Sequence, residues 1–150
     1  MKARRALAAL MGLMMALLAP RLAAAQGQAA PLQGFVASVA RMWAAGDANA
    51  ITALAPADGR ISLDLGTGQS GAAEARHAAA ALRELFRDRA TLNVRPTQVN
   101  IAGGQPLRGF GELSWTSRPR GVTDSDTSTV YIGAVWENSG WKIRELRVLH

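Results

Sequence analysis

Near Thr91 the apolar residues of this chain change period. Before it, outside the short stretch Arg60 to Leu65, they recur at steps of three and four. After it they alternate, and turn residues cut the chain into four stretches, Leu92 to Ile101, Leu107 to Arg118, Thr127 to Asn138 and Trp141 to Leu149. A side-chain period of two belongs to strands and one of about 3.6 to helices. The cuts are Gly103-Gly104-Gln105-Pro106, the polar stretch Pro119 to Asp126, and Asn138-Ser139-Gly140, each of a kind that joins neighbouring antiparallel strands. Helices followed by a four-stranded meander make the chain α+β.

The first half sharpens this order. From Pro31 to Ala45, Leu32, Phe35, Val36, Val39, Met42 and Trp43 fall on one helical stripe, with Arg41 off it. Gly46 is placed to cap that helix, and Asp47 to accept amide hydrogen bonds at the start of a second, Ala48 to Ala55, which Pro56 closes. Arg60 to Leu65 alternates as a half-buried strand, with Ile61, Leu63 and Leu65 on one face and Ser62 and Asp64 on the other. Gly66, Gly68 and Gly71 predict a mobile connection. Ser70 is the expected cap of a third helix, Ala72 to Asp88, whose buried face holds Ala75, Ala78, Ala79, Leu82, Leu85 and Phe86.

The opening MKARRALAALMGLMMALLAPRLAAAQ has a basic start, an apolar run from Ala6 to Ala19, and small residues at Ala23 and Ala25. That is the plan of a secretory signal peptide, and the run is short for a bilayer span of about 20 residues. Residues 1–25 are therefore expected to be removed after Ala25, leaving no stable membrane anchor and an exported product, periplasmic or extracellular. The absence of cysteine excludes a lipid-anchored lipoprotein and means that packing, without disulfides, must hold an exported fold. Lys2, Arg4, Arg5 and Arg21 leave with the signal, so 17 basic residues fall to 13 against 11 acidic, and the net charge from +6 to +2. The compositional argument for nucleic-acid binding goes with them. Residues 26–150 are the size of one domain.

With this order, "RMWAAGDANAITALAP" (Arg41 to Pro56) and the ending "GWKIRELRVLH" (Gly140 to His150) resemble the nuclear transport factor 2-like superfamily, which includes the SnoaL-like and cystatin-like cones. The likeness lies in Trp43 within the first helix, the Gly46-Asp47 step, and a last strand opening Gly140-Trp141-Lys142-Ile143. It is closest to small secreted bacterial members of unassigned function, which pair a helix like "EARHAAAALRELFRD" (Glu74 to Asp88) with an ending like "RELRV" (Arg144 to Val148). The resemblance implies a curved antiparallel sheet wrapped around the helices as a cone. Function stays open, because the superfamily hosts isomerases, dehydratases, cyclases, transport adaptors and plain binding or dimerisation domains. Its enzymes use a pocket with a carboxylate or His base, and its ketosteroid isomerases add Tyr and protonated Asp as oxyanion donors. The only Tyr here is Tyr131 and the only His residues are His77 and His150, so neither those donors nor the dehydratase His-Asp pair can be carried over.

Asp64, Glu112 and Glu145 are the carboxylates placed to serve as a base. Asp47 has a complete task as a helix cap, and His77 falls at the flank of its helix. "GTGQSG" (Gly66 to Gly71) has no Lys after its last Gly and no surrounding βαβ unit, so it is read as a connection and not as a phosphate loop. No spacing of His or Cys predicts a metal, and none predicts a cofactor. In the last strand strict alternation would mix polar and apolar residues on both faces. A bulge at Arg144 or Glu145 repairs this by bringing Ile143, Leu146 and Val148 to one side and turning Arg144 and Arg147 outward, within reach of Glu112 or Glu137. The aromatics Trp43, Phe86, Phe110, Trp115, Tyr131, Trp136 and Trp141 supply core and, at the mouth of a cone, the walls of a ligand site, with Arg147 as a polar group for an anionic ligand.

These readings predict an exported, non-catalytic domain that binds a small apolar or anionic ligand or forms a homodimer through its sheet face. The alternatives are a cofactor-free acid/base enzyme on a small apolar substrate and a structural interaction subunit of the cell envelope.

Overall fold

The computed structural model describes residues 27–150, so the expected signal peptide falls outside the described residues. The chain forms α1 (Ala29–Ala44), α2 (Ala48–Thr52), β1 (Arg60–Asp64), β2 (Ser70–Glu74), α3 (Ala75–Asp88), β3 (Arg89–Gly103), β4 (Arg108–Pro119), β5 (Asp126–Glu137) and β6 (Gly140–Leu149). No described helix is long and apolar enough to cross a membrane.

Gly46 ends α1 as expected. Its φ of 64° lets the Gly46 and Asp47 amides turn back to the carbonyls of Trp43 and Met42, each at 3.0 Å. Asp47 then caps α2, its carboxylate accepting from the Ala50 amide at 3.0 Å.

The segment read as a mobile connection and the start of a helix is instead strand β2. It runs antiparallel to β1, with Asp64 opposite Ser70 and Arg60 opposite Glu74. Ser70 therefore caps no helix. The third helix starts three residues late, at Ala75, whose amide donates to the Gly59 carbonyl at 2.9 Å. Ser-Gly-Ala-Ala-Glu carries no alternation of its own, and pairing with β1 makes it a strand.

The sheet has the order β2-β1-β6-β5-β4-β3 and is antiparallel except where β1 runs parallel to β6. The bulge expected in the last strand is present. Gly133 faces Glu145 and Ala134 faces Ile143, which leaves Arg144 as the extra residue. Trp141, Ile143, Leu146 and Val148 consequently all point inward and are buried. Edge strand β3 breaks register with β4 three times, at Leu92, Thr97 and Ala102. Bulges bend a strand and increase its twist, and here they accompany the packing of β3 and β4 around α1.

Inside the cone Trp43 is fully buried and stands edge-on to Phe86 at 5.1 Å and to Trp115 at 5.4 Å. The Trp115 indole N–H donates to Thr91 Oγ1 at 2.9 Å. Helix α1 can lie this near the sheet because β4 offers Gly109 and Gly111 where Leu32 and Val36 come down. Arg120 closes the far end of α3, donating to the carbonyls of Arg87 at 2.6 Å and Phe86 at 3.1 Å.

Candidate functional site

The structure separates the candidate residues into three places. Trp43, Phe86 and Trp115 fill the interior of the cone, so the aromatic-walled mouth expected from the sequence does not form around them. Their spacing is that of packed edge-to-face rings, and they act as core. Trp136 stacks edge-on to Trp141 at 5.5 Å, and the two line an apolar groove of about 390 Å³ with Phe35, Met42 and Leu54.

The remaining candidates meet on the outer face of the sheet. Strand register lays Glu112, Tyr131, Arg147 and Asp64 in one row across β4, β5, β6 and β1, with Phe110, Gly133 and Glu145 in the next. All three candidate bases thus point away from the cone interior. Asp64 Oδ1 accepts the Gly66 amide at 3.2 Å and shapes the turn after β1. Glu145 lies 3.7 Å from Arg147, both side chains substantially exposed, which is the geometry of a weak surface ion pair. Arg144 finds neither Glu112 nor Glu137. It bonds Asp58 at 2.8 Å, while Glu137 accepts the Ala57 amide at 2.6 Å. The Arg144 guanidinium and the Arg60 amide hold the exposed Asp58 carboxyl below the usual aspartate range.

Phe110 stacks on Tyr131 with ring centroids 5.8 Å apart and planes 22° from parallel. Gly133 makes room beside them, because a Cβ there would meet Glu145 Cβ at 3.0 Å and the Tyr131 ring at 3.5 Å. Pro106, Arg108, Arg144 and Glu145 complete an open cleft of about 540 Å³. Partial burial, then the charge of Glu145, pushes the Tyr131 hydroxyl above its ordinary value of 10.0, against the opposing charge of Arg147.

A third cavity, of about 420 Å³, lies between α3 and the segment whose sequence reads as a flexible connection. Its floor is Leu63 and Leu65 from β1 and Leu85 from α3, all buried. One wall is the β2 segment Ser70 to Ala73 with Thr67 and Gln69 of the turn. The other is the α3 stripe His77, Ala81, Glu84 and Asp88. Those helical positions, spaced by four, three and four, share one face. That spacing was legible in the sequence, but the facing wall was not, since it exists only because β2 pairs with β1. Among the described residues no three His, Cys, Asp or Glu side chains gather as metal ligands would.

No family profile and no curated protein matches the sequence. Solved structures do match. The designed protein Rd1NTF2_05 is 12% identical with a TM-score of 0.60, over 82% of this chain and 98% of its own. A domain of unknown function with a cystatin-like fold from Nostoc punctiforme is 13% identical at a TM-score of 0.59, over 77% of this chain and 72% of its own. A DUF4783 family protein from Bacteroides ovatus is 14% identical at 0.59, over 73% and 89%. At such identities the likeness is one of fold. The fold is the nuclear transport factor 2-like and cystatin-like cone that the sequence motifs implied.

Proposed function

We propose that this chain is a non-catalytic small-ligand-binding domain whose site is the cavity between the β1–β2 hairpin and α3. The observation that carries the reading is the make-up of that cavity, a floor of buried leucines under a polar wall in a volume of about 420 Å³. Small-molecule sites commonly span about 300 to 1,000 Å³ and combine apolar walls with a few convergent polar groups. The non-catalytic part of the proposal rests on the acids. Asp64 is engaged in a turn, Glu145 is beside Arg147, and Glu112 lies in the outward-facing row of Asp64. A general base gains its strength from enclosure, and none of these three is enclosed.

Native mass spectrometry of the protein purified from its own host tests the proposal. A bound small molecule is expected in the parent, and its loss in Ala73→Trp, where an indole fills the cavity from the β2 side. A parent that never carries a ligand and an Ala73→Trp variant indistinguishable from it would reject the reading. Export belongs to the same proposal, and amino-terminal sequencing of the host protein should begin at Gln26.

The outer cleft supports a second reading, pairing of two copies through the sheet, because the stacked Phe110 and Tyr131 are only partly covered. Analytical ultracentrifugation of Tyr131→Arg against the parent tests it. A concentration-dependent dimer in the parent alone is the supporting result.

A further inference from the structure

The cavity beside α3 has a one-sided charge. The acidic side chains Glu84 and Asp88 line it, together with His77, and no Lys or Arg does. The arginines of the same helix lie elsewhere on it. Arg76 pairs with Glu74 at 3.2 Å, Arg83 donates to Asn49 of α2 at 2.9 Å, and Arg87 lies off the lining; the acids stand at the open rim of the cavity, exposed as Arg87 is. At about 100° per residue, positions 76, 83 and 87 cluster roughly a quarter turn from 77, 81, 84 and 88.

Helix energetics do not favour this arrangement. Glu84 and Asp88 are like charges four residues apart, a spacing at which they repel. Asp88 is also the last residue of α3, where the helix dipole favours a cation. Of the guanidiniums at that end, Arg120 is engaged by the carbonyls of Phe86 and Arg87, the C-cap Arg89 by Ser117 and Asp126, and Arg87 stands in the last turn off the lining. Neither acid takes part in an ion pair or side-chain hydrogen bond among the described residues. Departures from local preference gather where a sequence serves a ligand. Here two of them border one apolar-floored cavity.

We propose that the ligand of this cavity is a small apolar molecule bearing a positively charged amine, its hydrocarbon part on Leu63, Leu65 and Leu85 and its ammonium group at Glu84 and Asp88. The inference rests on the preceding reading of the cavity as a ligand site and names the ligand's chemical class. Hydrocarbon burial supplies affinity, and the two carboxylates discriminate between an ammonium, a neutral and an anionic head.

The test is an NMR titration of the ¹⁵N-labelled protein with three probes of equal chain length, hexylammonium, 1-hexanol and hexanoate. Hexylammonium should bind tightest, by about tenfold over hexanol, a difference set by its charge contacts. Its shifts should concentrate in residues 63–73 and 77–88. The double variant Glu84→Gln, Asp88→Asn should weaken hexylammonium to the level of hexanol and leave hexanol itself unchanged, which also shows that the variant is folded. Hexanol and hexanoate binding there as tightly as hexylammonium overturns the charge inference and leaves the cavity reading standing. Binding of none of the three overturns both. Hexylammonium shifts confined to the outer cleft overturn the location.

Discussion

Val36 of α1 sits so near Gly111 of β4 that a Cβ on the glycine would lie 2.5 Å from Val36 Cγ2, and Leu32 approaches Gly109 as closely, at 2.6 Å. Helix and strand therefore meet side chain to backbone. Gly111→Ala should force α1 outward and lower stability by about 1 to 3 kcal/mol. Urea denaturation of the single variant and of Gly111→Ala with Val36→Ala checks this. The pair should recover part of the loss, because the second change removes the methyl groups that clash. Independent, additive losses would show that the contact does not set the spacing.

The β5–β6 turn offers a gain instead. Asn138 and Ser139 both have positive φ, 50° and 61°, the conformation of a two-residue hairpin turn that suits Asn-Gly. Ser139→Gly should relieve backbone strain and, after the extra freedom it gives the unfolded chain, raise stability by about 0.5 kcal/mol. Ser139→Val should lower it. Calorimetric melting of the three proteins decides the order.

Tyr131 is the only tyrosine, so alkaline absorbance reports it alone. Its midpoint should lie above 10.0, since partial burial and Glu145 both disfavour the phenolate. Glu145→Gln should bring it down. The folded state holds this proton more tightly than the unfolded one, so the contribution is fully present below pH 10 and lost as pH rises through the folded value. A midpoint unmoved by Glu145→Gln would contradict the proximity of the two groups.

The Asp58–Arg144 pair has the opposite sign. Because the Asp58 carboxyl is held below its ordinary 3.8, the stability it contributes is present above that value and fades as pH falls through the lower, folded one. Asp58→Asn should flatten the stability profile below about pH 4, where an unperturbed aspartate titrates. Denaturant midpoints at pH 2.5 to 5 measure it. Parallel profiles for parent and variant would argue against the bond.

Much of this architecture is written in side-chain parity. Leu32, Val36, Val39 and Trp43 fix the buried stripe of α1, and the polar–apolar mismatch between Arg144 and Val148 is enough to require the bulge that register confirms. Parity also separates aromatics that size alone groups together. Trp115 shares its face with Leu113 and is core, whereas Phe110 lies on the opposite face with Glu112. Treating all of them as one lining obscured that division. Two features depend on the assembled sheet and leave no local pattern. Ser70 to Glu74 becomes a strand only against β1, and the cavity beside α3 exists only once that strand stands opposite His77, Glu84 and Asp88. Likewise Arg144 meets Asp58, 86 positions away, a partner no spacing rule could select.

The position of β6 has a temporal meaning. The last strand to be synthesised is not at an edge but between β1 and β5, and it alone joins the β1–β2 hairpin to the other three strands. Until Trp141 to Leu149 have left the ribosome, the growing polypeptide holds two separate pieces of sheet, with α3, packed on β1, β2 and β3, as the link between them. The sheet cannot be completed before β6 is available, and pairing Ser62 with Glu145 closes a long loop, which favours slow folding. Until β6 docks, the facing edges of β1 and β5 are unpaired, the kind of surface on which a chaperone acts.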